Sequence, residues 1–115
     1  MSIPAKTRAA LKERAHDCCE MCGKYLANNA HHRKNRSQGG GDNLANLMLL
    51  CGSGTTGCHG LVTTEPLMSK RMGWTVRWIS DPAEVPVWRY DRARGERVLV
   101  LLDDEGGWSE VEDAA

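Results

Sequence analysis

Apolar residues in this chain come in short bursts separated by charged or glycine-rich stretches, a pattern of small elements rather than long ones. Ser2 and Pro4 can open a helix that runs to about Ala15, with Ala9, Leu11 and Ala15 offering a small apolar surface. Residues 29–33 read as a first strand, residues 34–43 as a glycine-rich excursion, and residues 46–50 as a second strand whose apolar run is short enough to be buried. From His59 to about Met72 the pattern predicts a closing helix with Gly73 as its C-cap, and Pro66 delays or bends it. Beyond Gly73, three β-like segments (74–79, 87–90 and 97–102) are separated by Asp-Pro, Val-Pro and Arg-Gly breaks, which predicts a small antiparallel appendage. Its tryptophans Trp74, Trp78 and Trp88 read as core residues before they read as stacking platforms for bases. From Asp103 onward the chain holds six acids and no base, the composition of a mobile tail that weakens non-specific DNA binding or docks a basic partner. The expected fold class is therefore α+β, with a core over 1–73, a β appendage packed on it over 74–102, and an acidic flexible tail over 103–115.

With 115 residues, no phenylalanine and twelve glycines, such a core is sparse and calls for a staple. Cysteine supplies one. Cys19 and Cys22 form a Cys-x-x-Cys turn followed by Gly23, and Cys51 and Cys58 flank a loop with three glycines that lets the backbone fold back. Four thiolates suit a tetrahedral structural zinc. The alternative is a pair of disulfides, but the five cysteines are an odd number and nothing marks the chain for export. Cys18 would need a three-residue spacer to Cys22 and is left as a spare thiol. No apolar run approaches the length of a membrane span and there is no signal-peptide core, so a cytoplasmic protein with reduced cysteines is expected.

Four sulfurs leave the histidines without a structural task, yet three of the four in the chain lie in this same segment. They occur as Ala-His31-His32-Arg, then Arg36-Ser-Gln-Gly-Gly-Gly-Asp, then Asn43-Leu-Ala-Asn46-Leu-Met-Leu-Leu-Cys51, then Cys58-His59-Gly. This combination, over about residues 15–72, resembles the HNH endonuclease family, whose ββα-metal core carries four extra zinc-binding cysteines in one subgroup; it looks closest to small bacteriophage HNH proteins. The resemblance implies that His31 is a ligand of a catalytic divalent cation and His32 the general base, a division that also suits a strand, where neighbouring side chains point to opposite faces. It further implies that His59 is the second cation ligand and that Asn46 holds the loop and orients the base, with Asn43 a weaker candidate. Magnesium is the implied ion, and imidazole ligands also admit manganese or nickel. Thr63 stands where many relatives carry a further histidine, which implies weak affinity for free metal unless Glu65 helps, and admits a degenerate copy.

Charge changes the picture last. The chain is neutral overall, but residues 1–50 carry eight Lys/Arg against four Asp/Glu. Lys6, Arg8, Lys12 and Arg14 lie in the first helix. Arg33, Lys34 and Arg36 follow the histidine pair, where phosphates would approach, and are the expected DNA contacts. The resulting reading is a metal-dependent DNA endonuclease of low sequence specificity, inside a bacterial host cell if phage-encoded. The phage resemblance implies a place in genome packaging with a large terminase subunit as partner. A zinc module that grips DNA without cutting it, a degenerate HNH protein acting through a partner, and a protein-interaction adaptor remain the alternatives.

Overall fold

The computed structural model describes residues 2–112. Helix α1 spans Ala5–Ala15, with Pro4 just before it, where a missing N–H is tolerated. The chain leaves α1 through His16 and Asp17, both in left-handed conformations (φ 53° and 59°), and enters the cysteine turn. Strands β1 (Asn29–His32) and β2 (Leu47–Leu50) pair antiparallel, with His31 opposite Met48 and His32 opposite Leu47. All four residues of β2 are buried, because α1 and the helix after Cys51 both pack against it. Its apolar run is continuous for that reason.

The helix expected from His59 to Met72 is two helices, α2 (Gly57–Thr64) and α3 (Pro66–Arg71), broken at Glu65. Pro66 cannot donate to the preceding turn and instead starts the second helix. Residues 74–79 form no strand. Trp74 N and Thr75 N both donate to Ser69 O at the end of α3, and Val76 N donates to Arg33 O, so their donors serve a helix end and one loop carbonyl instead of a ladder.

The appendage is a three-stranded antiparallel sheet in the order β3 (Val87–Asp91), β4 (Glu96–Leu102), β5 (Trp108–Glu110). Val98, Val100 and Leu102 alternate inward along β4 and join Leu11, Met21, β2, Val62, Trp74 and Val87 in one core. Strand β5 lies in the stretch expected to be mobile. Asp103 Oδ1 accepts from Glu105 N and Gly107 N to shape the turn, Glu110 receives both terminal nitrogens of Arg94 (2.8 and 2.7 Å), and Val111 N donates to Leu99 O. Acids that read as solvent-loving are here turn formers and an ion-pair partner; residues 113–115 of the expected tail lie outside the described residues.

Three arginines that resemble surface charges in the sequence are buried: Arg14, Arg33 and Arg89. Arg14 and Arg89 share Glu20, which lies between the two cysteines of the first turn. Glu20 Oε1 accepts from Arg14 Nη2 and from Leu49 N (2.9 Å each), and Oε2 accepts from Arg14 Nε (2.9 Å) and Arg89 Nε (2.6 Å). Burial alone raises the Glu20 carboxyl, but the two guanidiniums outweigh it and hold the group below its ordinary value. This triad ties α1, the cysteine turn, β2 and β3 together, so Arg14 is removed from the expected basic face of α1.

Candidate functional site

The sulfurs of Cys19, Cys22, Cys51 and Cys58 all lie within 4.8 Å of one another. A tetrahedron of sulfurs about 2.3 Å from a zinc has edges of about 3.8 Å, and the Cys22–Cys51 pair stands at 3.9 Å. Glycine makes the approach feasible at two places. Gly23 has φ +66°, and a Cβ there would meet the Tyr90 ring at 2.1 Å. Gly57, at φ +63°, packs so closely on Gly52 that a Cβ would fall 2.7 Å from its Cα, which closes the loop between Cys51 and Cys58. Burial and the neighbouring Cys19 push the Cys58 thiol well above its usual range. Crowded thiolates of this kind call for a cation, and the donor set fits zinc. Cys18 stands outside the cluster, 2.8 Å from Arg92 Nη1.

One residue step from Cys58, His59 faces His31, with ring centroids 5.4 Å apart in an edge-on arrangement. His31 Nε2 lies 2.7 Å from Trp74 O. A carbonyl only accepts, so the neutral ring carries its proton on Nε2 and leaves a lone pair on Nδ1. Burial, set against that hydrogen bond and reinforced by His59, His32 and Arg33, lowers the His31 pKa to about 4. Burial likewise lowers His59, whose Nδ1 is buried without a hydrogen-bond partner among the described residues. An orphaned imidazole nitrogen beside a second neutral imidazole fits a divalent cation.

His32 stands at the end of β1, and His31 and His32 are both lining residues of one cleft, with Asn35, Thr63, Pro66 and Thr75. His32 Nε2 lies 2.8 Å from Asp42 Oδ1, a partner that the sequence analysis missed. The signal was the return of the glycine-rich loop, which brings residue 42 back to residue 32. His32 first and Arg36 second hold the Asp42 carboxyl below its ordinary value. Asp42 accepts, so neutral His32 also protonates Nε2 and presents Nδ1 as its basic nitrogen. Asn46 is fully buried and its amide spans the loop: Oδ1 accepts from Lys34 N (2.8 Å), and Nδ2 donates to Lys34 O (3.0 Å) and Gly41 O (2.9 Å). Asn43 points elsewhere, donating to Asp104 Oδ1. Thr63 lines the cleft but its hydroxyl donates to His59 O, and Glu65 does not line it.

The three basic residues after the pair have separate fates. Arg33, expected to contact DNA, is 1 % exposed and donates to the carbonyls of Gly73, Ala45, Pro82 and Val85, so it is a buried strut and not a phosphate contact. Its place in the sequence beside two exposed-looking bases concealed this. Lys34 Nζ donates to Ser80 O (2.9 Å), and exposed Arg36 pairs with the same Asp42 oxygen that meets His32 (2.9 Å).

The family model of HNH endonucleases matches residues 19–64, a segment that includes all four clustered cysteines, both paired histidines, Asn46 and His59. No curated protein and no solved structure matches the chain.

Proposed function

With an HNH endonuclease domain over residues 19–64 as the premise, we propose that this protein is a metal-dependent endonuclease that hydrolyses DNA phosphodiester bonds. The observation that carries the proposal is the neutral pair His31 and His59, with an orphaned buried nitrogen, beside a third histidine held by a carboxylate.

In this reading His32 Nδ1 takes the proton from the attacking water, and Asp42 fixes the tautomer and steadies the imidazolium that results. Asn46 keeps the loop over 34–41 closed, so that Asp42 stays against His32 and Arg36 against Asp42. Arg36 meets the incoming phosphate chain from there. His31 and His59 hold the divalent cation, magnesium with manganese or nickel as substitutes, which when bound supplies charge stabilisation to the phosphate and the leaving oxygen. Zinc on the four cysteines is structural: Cys58 and His59 are adjacent, so ordering the first site positions the second. With only two protein ligands, the cation is held weakly in the absence of substrate. Among the described residues, no helix is long and apolar enough to cross a membrane. A role in phage genome packaging beside a large terminase subunit rests on the sequence resemblance alone.

The test is conversion of supercoiled plasmid to nicked or linear form by zinc-loaded protein in magnesium, manganese or nickel, beside His32→Ala at equal zinc content. Cleavage that needs metal and disappears in the variant is the expected result. Well-folded wild type that binds DNA and cuts in no metal overturns the proposal in favour of a binding module.

A further inference from the structure

Trp78 and Ile79 are 65 % and 59 % exposed, side by side, although Trp74 and Val76 just before them are buried. Apolar side chains this large, paired on a loop tip, normally mark a contact surface. The loop is also anchored on both sides to His31 and to the two residues that follow His32. On one side Trp74 O is bonded to His31 Nε2, Thr75 lines the histidine cleft, and Val76 N donates to Arg33 O (2.8 Å). On the other, Ser80 O accepts from Lys34 Nζ, and the Arg33 guanidinium holds the Pro82 and Val85 carbonyls. Ser80 N closes the tip by donating to Arg77 O (3.0 Å). The exposed residues 77–79 are thus carried on a loop whose two ends are bonded to the histidine segment. Arg77, exposed on it, has no ion-pair partner among the described residues.

We propose that this loop is a base-contacting wedge: Trp78 stacks on an unpaired or locally unstacked base near the scissile phosphate, with Ile79 against its edge and Arg77 on the backbone. The proposal rests on the nuclease reading and deepens it, since it makes DNA with an interrupted stack the favoured substrate. An aromatic face stacks on any base, so the wedge selects structure and not sequence. A nucleic acid fits better than another occupant because the exposed guanidinium of Arg77 beside the apolar pair suits a polyanion, and the stem of the loop at Trp74 and Thr75 adjoins the histidine cleft. Because the loop is already ordered, little conformational freedom is lost on contact.

The experiment uses full-length, zinc-loaded His32→Ala protein, so that nothing is cut. It is titrated with a short duplex and with the same duplex carrying one bulged 2-aminopurine, and repeated with Trp78→Ala and Trp78→Phe added. The bulged duplex is expected to bind more tightly and its 2-aminopurine emission to change on binding. Trp78→Ala should weaken that binding by roughly 5- to 100-fold, the size of one base stack, leave the intact duplex nearly unchanged, and be partly rescued by Trp78→Phe. Equal affinity of Trp78→Ala and its parent for the bulged duplex, or no binding to either DNA, overturns the wedge. Plasmid cleavage by wild type separates the two claims: cutting together with Trp78-independent binding of the bulged duplex sinks the wedge alone, and Trp78-dependent binding of the bulged duplex without cutting sinks the nuclease alone.

Discussion

Replacing Arg33 by Met separates a strut from a phosphate contact, because the two roles move different observables. The guanidinium donates to four carbonyls on three segments: Ala45 at 2.8 Å, Gly73 at 2.9 Å, and Pro82 and Val85 at 3.0 and 2.8 Å. Hydrogen bonds from a charged donor contribute about 1.5–3 kcal/mol each, roughly 6–12 kcal/mol for the set. Against this stands the cost of burying the cation, several kcal/mol. That cost is visible in the lowering of the Arg33 pKa to about 10, caused by burial and then by Arg14, which still leaves the group charged at neutral pH. Met fills the space and removes both terms, but four carbonyls lose their donor, so a net loss of about 3 kcal/mol is expected. With a urea slope of about 1.5 kcal/mol/M, the midpoint should fall by roughly 2 M at fixed saturating zinc. Under folding conditions the dependence of DNA affinity on salt should keep its slope. Arg36→Ala should do the reverse, lowering the slope by about one unit with stability changed by less than about 0.5 kcal/mol. A midpoint shift below roughly 0.5 M for Arg33→Met, together with a loss of salt slope, would refute the strut.

Asp42→Asn should slow cleavage by about 100-fold while the fold stays intact, because the amide no longer fixes the His32 tautomer or balances its charge; an unchanged rate in single-turnover cleavage would remove Asp42 from the site. Glu20→Gln leaves two buried guanidiniums without a counter-charge and should cost about 3 kcal/mol, read as a drop in Tm; an unchanged Tm would mean that the triad is idle. Stripping zinc with a chelator should abolish hydrogen-exchange protection at Glu20 N and Tyr90 N, which bond across the cysteine turn to Leu49 O and from β3 to Glu20 O. Retained protection at both amides in the metal-free protein would show that the sulfur cluster does not organise the fold.

Apolar runs and turn residues made much of the fold legible. The run Leu47–Leu50 and the helix ending at Ala15 are where hydrophobic pattern and glycine punctuation place them, since burial of β2 on both faces leaves no polar position to confuse the pattern. The thiolate cluster was legible for a similar reason, as ligand type and spacing are set by zinc itself. Charged residues were not legible. Arg14, Arg33, Arg89 and Glu20 carry no local sign that distinguishes a buried, fully hydrogen-bonded charge from a solvated one; only the fold supplies their partners, up to 75 residues away. The Asp42 partnership was hidden because it depends on the path of a glycine-rich loop, and the residues after Asp103 misled because turn-forming aspartates and solvating aspartates are the same residue type.

The Trp74 carbonyl that holds the His31 ring has a consequence for how this domain can travel between proteins. The family-matched segment ends at residue 64, yet the carbonyl that holds its His31 and three of the four that hold its arginine strut come from residues 73–85, and Arg89 of β3 holds the turn between Cys19 and Cys22. Recombination or gene fusion that moved only residues 19–64 would deliver the chemical groups without the carbonyls that point them. A portable unit therefore has to carry residues 73–89 as well, which makes the loop bearing Trp78 a passenger of the histidine cleft.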